Sequence, residues 1–327
     1  MKISVIGAGA WGTALAIAFS HRHEIGLWTR DAGHATTMRN AGTNARYLPG
    51  IALPANVTIQ SDLAATLSGA NLVLIATPTS ALREILLQVA GAAKGLPVVW
   101  ACKGFERDSA RLPHEIVASE LPGRKCGVLS GPSFAQEVAR GQPTALIFAS
   151  DDAEFARTTS SALHQTMLRI YSSGDVVGVE IAAAVKNVMA IATGICDGMD
   201  LGMNARAALI TRGLAEIARL GLAMGGKPES FMGLAGAGDL ILTCTGDLSR
   251  NRRVGLQLAA GDSLEKILRE LGHVAEGVYS AREVRRIALE KGVDMPITRA
   301  VCDVLFEGKS PANVVRELLA RDPRLEP

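Results

Sequence analysis

The first twenty residues set a strand, a glycine turn and a helix end to end, and that order constrains the fold more than anything else in the chain. Lys2–Ile6 (KISVI) reads as a short buried strand. Gly7-Ala8-Gly9-Ala10-Trp11-Gly12 follows directly, and Thr13–Phe19 continues as a helix. Gly7 permits the tight turn, Gly9 lets the backbone approach a pyrophosphate, and Gly12 lets helix and strand pack closely. The N-terminus of that helix offers unpaired N–H groups and the positive end of a dipole to phosphate oxygens. These residues predict a dinucleotide-binding fold.

Further strands are expected at Glu24–Trp28, Val57–Ile59, Leu72–Ala76, Val98–Ala101, Gly127–Leu129, Ala145–Phe148 and Leu168–Tyr171. Leu72–Ala76 and Val98–Ala101 are unbroken apolar runs, the pattern of strands buried in a parallel sheet with helices on both faces. The fold class predicted is α/β, a doubly wound and mostly parallel sheet. In such a sheet the carboxyl ends of the strands line the ligand crevice. Thr77-Pro78 and Lys103-Gly104 stand at two of those ends, so Lys103 holds either a site position or an ordinary loop position. Ser130-Gly131-Pro132-Ser133-Phe134-Ala135 is a small-residue loop leading into a helix near Phe134, either a source of N–H groups for an anion or a simple turn. After the second strand come Thr29-Arg30-Asp31. An acidic residue there holds a ribose 2′-hydroxyl, whereas an arginine accepts a 2′-phosphate. Arg30 favours NADP over NAD, and Asp31 keeps NAD open.

A chain of 327 residues exceeds the usual size of one hydrophobic core, so two domains are expected. The formal net charge is +2, with Lys and Arg scattered, which argues against a nucleic-acid or anionic-membrane surface. Cys102, Cys126, Cys196, Cys244 and Cys302 are odd in number and lack C-x-x-C or Cys/His spacing. They read as reduced cytoplasmic thiols, with no metal site. The first apolar run is cut by glycines, so no secretory leader is expected.

From Gly174 onward strand signals give way to helices, which places the domain boundary at 173/174, with an all-helical second domain over 174–327. Val176–Ile195 is apolar on nearly every face and predicts a helix buried all round. It carries Asp175, Glu180, Lys186, Asn187 and Asp197 in or beside it, which excludes a membrane span. Lys186 has two readings. It snorkels out of a core helix, or it is buried, where desolvation disfavours its charge and tunes it for proton transfer. Helices are also expected at Asn204–Met224, Leu264–Leu271, Ala281–Lys291, Ile297–Phe306 and Ala312–Ala320. Gly236-Ala237-Gly238-Asp239-Leu240 leads into Thr243-Cys244-Thr245. Ser249 is suited to cap a helix with Arg250 and Asn251 on its first turn. A cation at that end is unfavourable unless an anion sits there, so this is a phosphate receptor or else a solvated basic turn.

Taken together, GAGAWGTALA, ACKG (Ala101–Gly104), SGPSFAQEVA (Ser130–Ala139), VKNVMAIATGICDGMDLGMNARAALITRGLAE (Val185–Glu216), GLAGAGDLILTCTGDLSRNRRVG (Gly233–Gly255) and VAEGV (Val274–Val278) resemble NAD(P)-dependent glycerol-3-phosphate dehydrogenase of the bacterial cytoplasmic type. The resemblance implies a Rossmann-like fold and interconversion of dihydroxyacetone phosphate and sn-glycerol 3-phosphate with NAD(P)H, supplying the backbone of phospholipids. It implies Lys186 as proton donor in reduction, Lys103 as a second positive group beside the substrate, and Asp239 orienting Lys186, with Asn187 and Thr243 supporting. Gly131, Ser133, Ser249, Arg250 and Asn251 would complete the substrate site. Gly7, Gly9, Ala10, Trp11, Gly12, Arg30, Lys103, Ala135, Arg250, Val274 and Glu276 would contact the cofactor, NADPH ahead of NADH. A homodimer is compatible with the sequence. Two other readings stay open: a dehydrogenase of 3-hydroxy acids with a helical second half, which also carries a lysine on its long helix, and a nucleotide sensor without chemistry.

Overall fold

A computed structural model describes residues 1–271 and 275–321. Its main sheet has eight strands in the order β5-β2-β1-β6-β7-β8-β9-β10. They are β1 (Lys2–Ile6), β2 (Glu24–Trp28), β5 (Val57–Gln60), β6 (Leu72–Ile75), β7 (Val98–Trp100), β8 (Cys126–Ser130), β9 (Thr144–Ala149) and β10 (Leu168–Ser173). Each expected strand forms within two residues of its expected bounds. All neighbours are parallel except β8 and β9, where Leu129 faces Phe148 in antiparallel register. The chain runs outward from β1 through β2 to β5, then returns to β6 on the other side of β1, so the strand order reverses beside β1. In open α/β sheets that reversal point is where ligands bind.

The glycine turn has the geometry its residues imply. Gly7 has φ +112°, a conformation other residues rarely adopt. A Cβ on Gly12 would overlap the Gly7 carbonyl oxygen, so only glycine lets the helix Ala10–Ser20 sit this close to β1. That helix is buried from Gly12 onward and helps form the core with Ile3, Val5, Leu27 and Leu74.

A two-stranded hairpin outside the main sheet was not expected: β3 (Thr43–Asn44) and β4 (Leu48–Ala52). Pro49 and Gly50 interrupt any alternating pattern there. The hairpin is fastened instead by Asn44, whose buried amide donates to the Ala8 carbonyl at 2.9 Å and to the Thr13 hydroxyl at 2.7 Å.

Two compact units make up the chain, residues Met1–Glu106 with Arg111–Glu180, and Arg107–Ala110 with the residues from Ile181 onward. The division falls inside the helix Val176–Gly198. Within the first unit, Glu180 on that helix is buried and accepts the indole N–H of Trp100 at 2.7 Å. It also accepts the backbone N–H of His114 at 3.0 Å and pairs with His114 Nδ1 at 2.5 Å. The helix is apolar and long enough to cross a membrane, yet 89% of its most apolar window is buried inside the protein.

The second unit, among the described residues, is helical: Gly202–Ala223, Pro228–Met232, Asp239–Thr245, Arg250–Ala259, Leu264–Leu271, Glu276–Glu290, Pro296–Phe306 and Pro311–Leu319. The helix expected from Ala281 starts five residues earlier, at Glu276. Gly277 is needed in its first turn because a Cβ there would press on the Asn187 carbonyl oxygen at 2.6 Å. Leu234–Gly238 is a wide π-helical turn rather than a loop, and it feeds straight into Asp239–Thr245. Where Val176–Gly198 meets Arg250–Ala259, a Cβ on Gly194 would overlap the Arg252 carbonyl oxygen and one on Gly255 would overlap that of Ile191. Backbone touches backbone at this crossing.

Candidate active site

In the first unit, three buried polar atoms without a protein partner stand at the carboxyl ends of strands. Trp11 Nε1, Thr77 Oγ1 and Ser130 Oγ have no hydrogen-bond partner among the described residues, and they follow or end β1, β6 and β8. Gly9 caps the helix Ala10–Ser20 without a side-chain bond, and a Cβ built on it meets nothing within 4 Å. An open face over Gly9, a helix start and unused donors fit the pyrophosphate and amide groups of a dinucleotide. Thr77 and Ser130 extend the expected set. Thr77 follows β6 and Ser130 ends β8, and the sequence marked both only by position.

Around this crest lie the other expected residues of the unit. Arg30 is exposed just past β2. Lys103 is half-buried past β7, and its carbonyl accepts the Thr79 hydroxyl at 3.0 Å. Gly131 has φ +128°, and its carbonyl accepts the Ser133 hydroxyl at 3.1 Å, which shapes the turn after β8. Ala135 opens the short helix Ala135–Ala139 and packs on the core.

In the second unit, Lys186 and Asp239 are both buried, 5% and 0% exposed, and form an ion pair at 2.5 Å. Lys186 does not snorkel. Its Nζ also donates to Thr243 Oγ1 at 3.0 Å, while the Thr243 hydroxyl donates to the Asp239 backbone carbonyl at 2.6 Å. That last bond spans one helical turn, so Asp239 and Thr243 present an acceptor pair on one face of their helix. A buried ammonium needs such compensation, because removing either partner leaves an isolated charge.

Next to Lys186 in sequence, Asn187 starts a second chain of bonds. Its Oδ1 accepts Asn251 Nδ2 at 3.0 Å, and Asn251 Oδ1 accepts the backbone N–H of Gly277 at 3.0 Å. These bonds tie three helices together at the start of Arg250–Ala259. Ser249 caps that helix as expected, its hydroxyl oxygen accepting the Arg252 N–H at 3.2 Å. Arg250 is exposed and has no hydrogen-bond or ion-pair partner among the described residues. Arg252, by contrast, is committed: it holds Asp197 at 2.7 Å and Asp247 at 2.9 Å. Of the three arginines in SRNRR, Arg252 is therefore fixed, while Arg250 and Arg253 are exposed. Glu276 is half-buried at the start of its helix, and Val274 lies outside the described residues.

Comparison with known proteins identifies the family. Sequence profiles of the NAD-dependent glycerol-3-phosphate dehydrogenase N-terminus and C-terminus match residues 2–156 and 175–316. A protein of Dechloromonas aromatica named glycerol-3-phosphate dehydrogenase (NAD(P)+) is 57% identical, covering 100% of this chain and 99% of the relative. One of the same name from Aromatoleum aromaticum is also 57% identical, over 100% of both chains. The crystal structure of glycerol-3-phosphate dehydrogenase from Coxiella burnetii superposes with a TM-score of 0.94 at 42% identity, covering 98% of this chain and 99% of that one. With matches of this identity over its full length, the chain belongs to the NAD-dependent glycerol-3-phosphate dehydrogenase family.

Proposed function

We propose that this chain interconverts dihydroxyacetone phosphate and sn-glycerol 3-phosphate with NAD(P)H, and that Lys186 moves the proton. The observation that carries the reading is the buried Lys186–Asp239 pair with Thr243 beside it. Bound at the glycine turn, the nicotinamide nucleotide supplies the hydride equivalent. The protein must then neutralise the charge that develops on the substrate's O2. Lys186 Nζ gives its proton to that oxygen in reduction and takes it back in oxidation. Asp239 and Thr243 accept from the same nitrogen, fixing its direction and favouring its ammonium form, and the proton given to the substrate is replaced from solvent. Asn187 steadies the neighbouring turn through Asn251.

The substrate phosphate is held by Arg250, with the helix start at Ser249 and Asn251 adding N–H groups and a favourable dipole. Lys103, Gly131 and Ser133 supply the remaining substrate contacts. Gly7, Gly9, Ala10, Trp11, Gly12, Arg30, Ala135, Val274 and Glu276 serve the nucleotide, with NADPH preferred through Arg30. Residues 1–173 form the proposed dinucleotide-binding domain, and 174–327 the proposed helical domain that carries the proton donor and the phosphate contacts. The cytoplasm is the proposed location, and supply of the phospholipid backbone the proposed role. Membership of the family sets aside the 3-hydroxy-acid and sensor readings.

The test is oxidation of NADPH with dihydroxyacetone phosphate against unphosphorylated dihydroxyacetone. Rapid oxidation with the phosphate ester alone is the expected result. Equal rates with both would remove the phosphate site, and no oxidation with either would remove the activity.

A further inference from the structure

The sequence leaves open how the nucleotide's 2′ position is read, and the structure assigns part of that task to a residue outside every motif. We infer that Arg46, in the turn of the β3–β4 hairpin, is a specificity-determining residue that pairs with the 2′-phosphate of NADPH alongside Arg30. The inference rests on the dinucleotide reading of the glycine turn.

Three observations support it. First, the hairpin is anchored where the nucleotide lies, since Asn44 donates to the Ala8 carbonyl within the glycine turn and to Thr13 on the following helix. Residues two and three beyond Asn44 are therefore held next to that turn. Second, Asp31 is already occupied. It caps the helix Ala32–Ala41 by accepting the His34 N–H on Oδ1 at 3.0 Å. That bond, against the opposing effect of desolvation and with smaller help from the Gly33 N–H and the nearby Arg46 charge, holds its carboxyl below the usual range. The carboxylate is thus charged at neutral pH and repels a phosphate unless a cation stands beside it. Third, Arg46 supplies that cation. Its Nη1 lies 4.0 Å from Asp31 Oδ2, and its guanidinium rests 5.1 Å from the ring centroid of Tyr47. Tyr47 is in turn braced edge-on by His34 at 5.4 Å.

Arg46 is thereby propped on an aromatic face at the end of β2, where the adenosine ribose of a dinucleotide sits. Its side chain is 59% exposed and has room to swing from Asp31 to a ligand. A 2′-hydroxyl offers it nothing, because Asp31 Oδ2 already suits that group. A 2′-phosphate offers a charge-assisted pair and relieves the repulsion from Asp31.

The test uses the intact protein and two nucleotide fragments, adenosine 2′,5′-bisphosphate and 5′-AMP, by calorimetric titration. Arg46→Ala should weaken the bisphosphate roughly tenfold, the scale of one charge-assisted contact, and leave AMP within about twofold. Asp31→Asn keeps the helix cap and removes the negative charge, so it should tighten the bisphosphate and, with the Oδ2 acceptor of the 2′-hydroxyl gone, should not tighten AMP. Equal losses for both fragments in Arg46→Ala, or no loss for either, would overturn the assignment. Failure of the unaltered protein to bind either fragment would overturn the dinucleotide reading and this inference with it, whereas loss of dihydroxyacetone phosphate reduction alone would strike only the proposed reaction.

Discussion

Lys186 Nζ lies 2.5 Å from Asp239 Oδ1, and both side chains are sealed from solvent. The two residues are far apart in sequence and come from different helices. Their meeting sets a compensated ammonium inside an apolar helix, which is what the proposed proton transfer requires. A burial that costs several kcal/mol for a lone ammonium is offset here by a carboxylate and a hydroxyl on one helical face.

Lys186→Ala should lower kcat by at least about a hundredfold, the lower range for loss of a general acid, with nucleotide binding nearly intact. It should also lower the melting temperature, because the buried Asp239 loses its ion-pair partner, a loss on the order of 3–5 kcal/mol. Steady-state kinetics, nucleotide titration and thermal melting check the three parts. Normal turnover in the folded variant would remove Lys186 from the mechanism.

Arg250→Ala should raise KM for dihydroxyacetone phosphate through loss of a charge-assisted pair, by about tenfold or more. Stability should hardly change, since Arg250 is exposed. An effect confined to KM for the nucleotide would assign Arg250 to the cofactor instead.

Gly194→Ala places a methyl group against the Arg252 carbonyl, a backbone atom that has no rotamer to yield. The helix Arg250–Ala259 must shift, at a cost of about 1–3 kcal/mol. Because Arg250 and Asn251 ride on that helix, KM for the phosphate ester should rise along with the drop in melting temperature. Denaturant unfolding and kinetics on the same preparation test the linkage, and a stability loss with unchanged KM would break it.

Glu216 is buried and accepts the N–H groups of Ile297 and Thr298 at 2.6 and 3.1 Å, capping the helix Pro296–Phe306 from a distance in sequence. Desolvation pushes its carboxyl up to about 7, against the pull of those two N–H groups. The folded value lies above the ordinary 4.5, so the folded state retains a proton that the unfolded chain releases. The stabilisation is therefore complete below about pH 4.5 and is lost as pH rises through about 7. Urea midpoints at several pH values should fall across this window in the native protein and fall less in Glu216→Gln. Parallel profiles for the two would exclude Glu216 as the titrating group.

Much of this was legible in the sequence because the signals were local. The glycine turn, the buried strands and the capping serine at position 249 each depend on residues within a few positions of one another. The buried lysine was legible as a conflict, a charge amid apolar neighbours, although Asp239 as its partner rested on resemblance rather than spacing. The β3–β4 hairpin was not legible, since it is held by Asn44 reaching back to Ala8 rather than by any alternation of its own. The early start of Glu276–Glu290 was hidden for a similar reason: Gly277 ordinarily weakens a helix, and only the crowding by Asn187 and Asn251 explains it. Glu180 was read as a charge unsuited to a membrane. Its bonds to Trp100 and His114 span 80 and 66 residues, beyond the reach of any pattern.

Those bonds bear on how the gene is dissected. A truncated product ending at Ser173 contains every strand found among the described residues yet omits Glu180, the acceptor of the Trp100 indole and the His114 amide. Such a piece would expose a raw apolar seam and precipitate, whereas one carried through the first turns of the long helix keeps its plug.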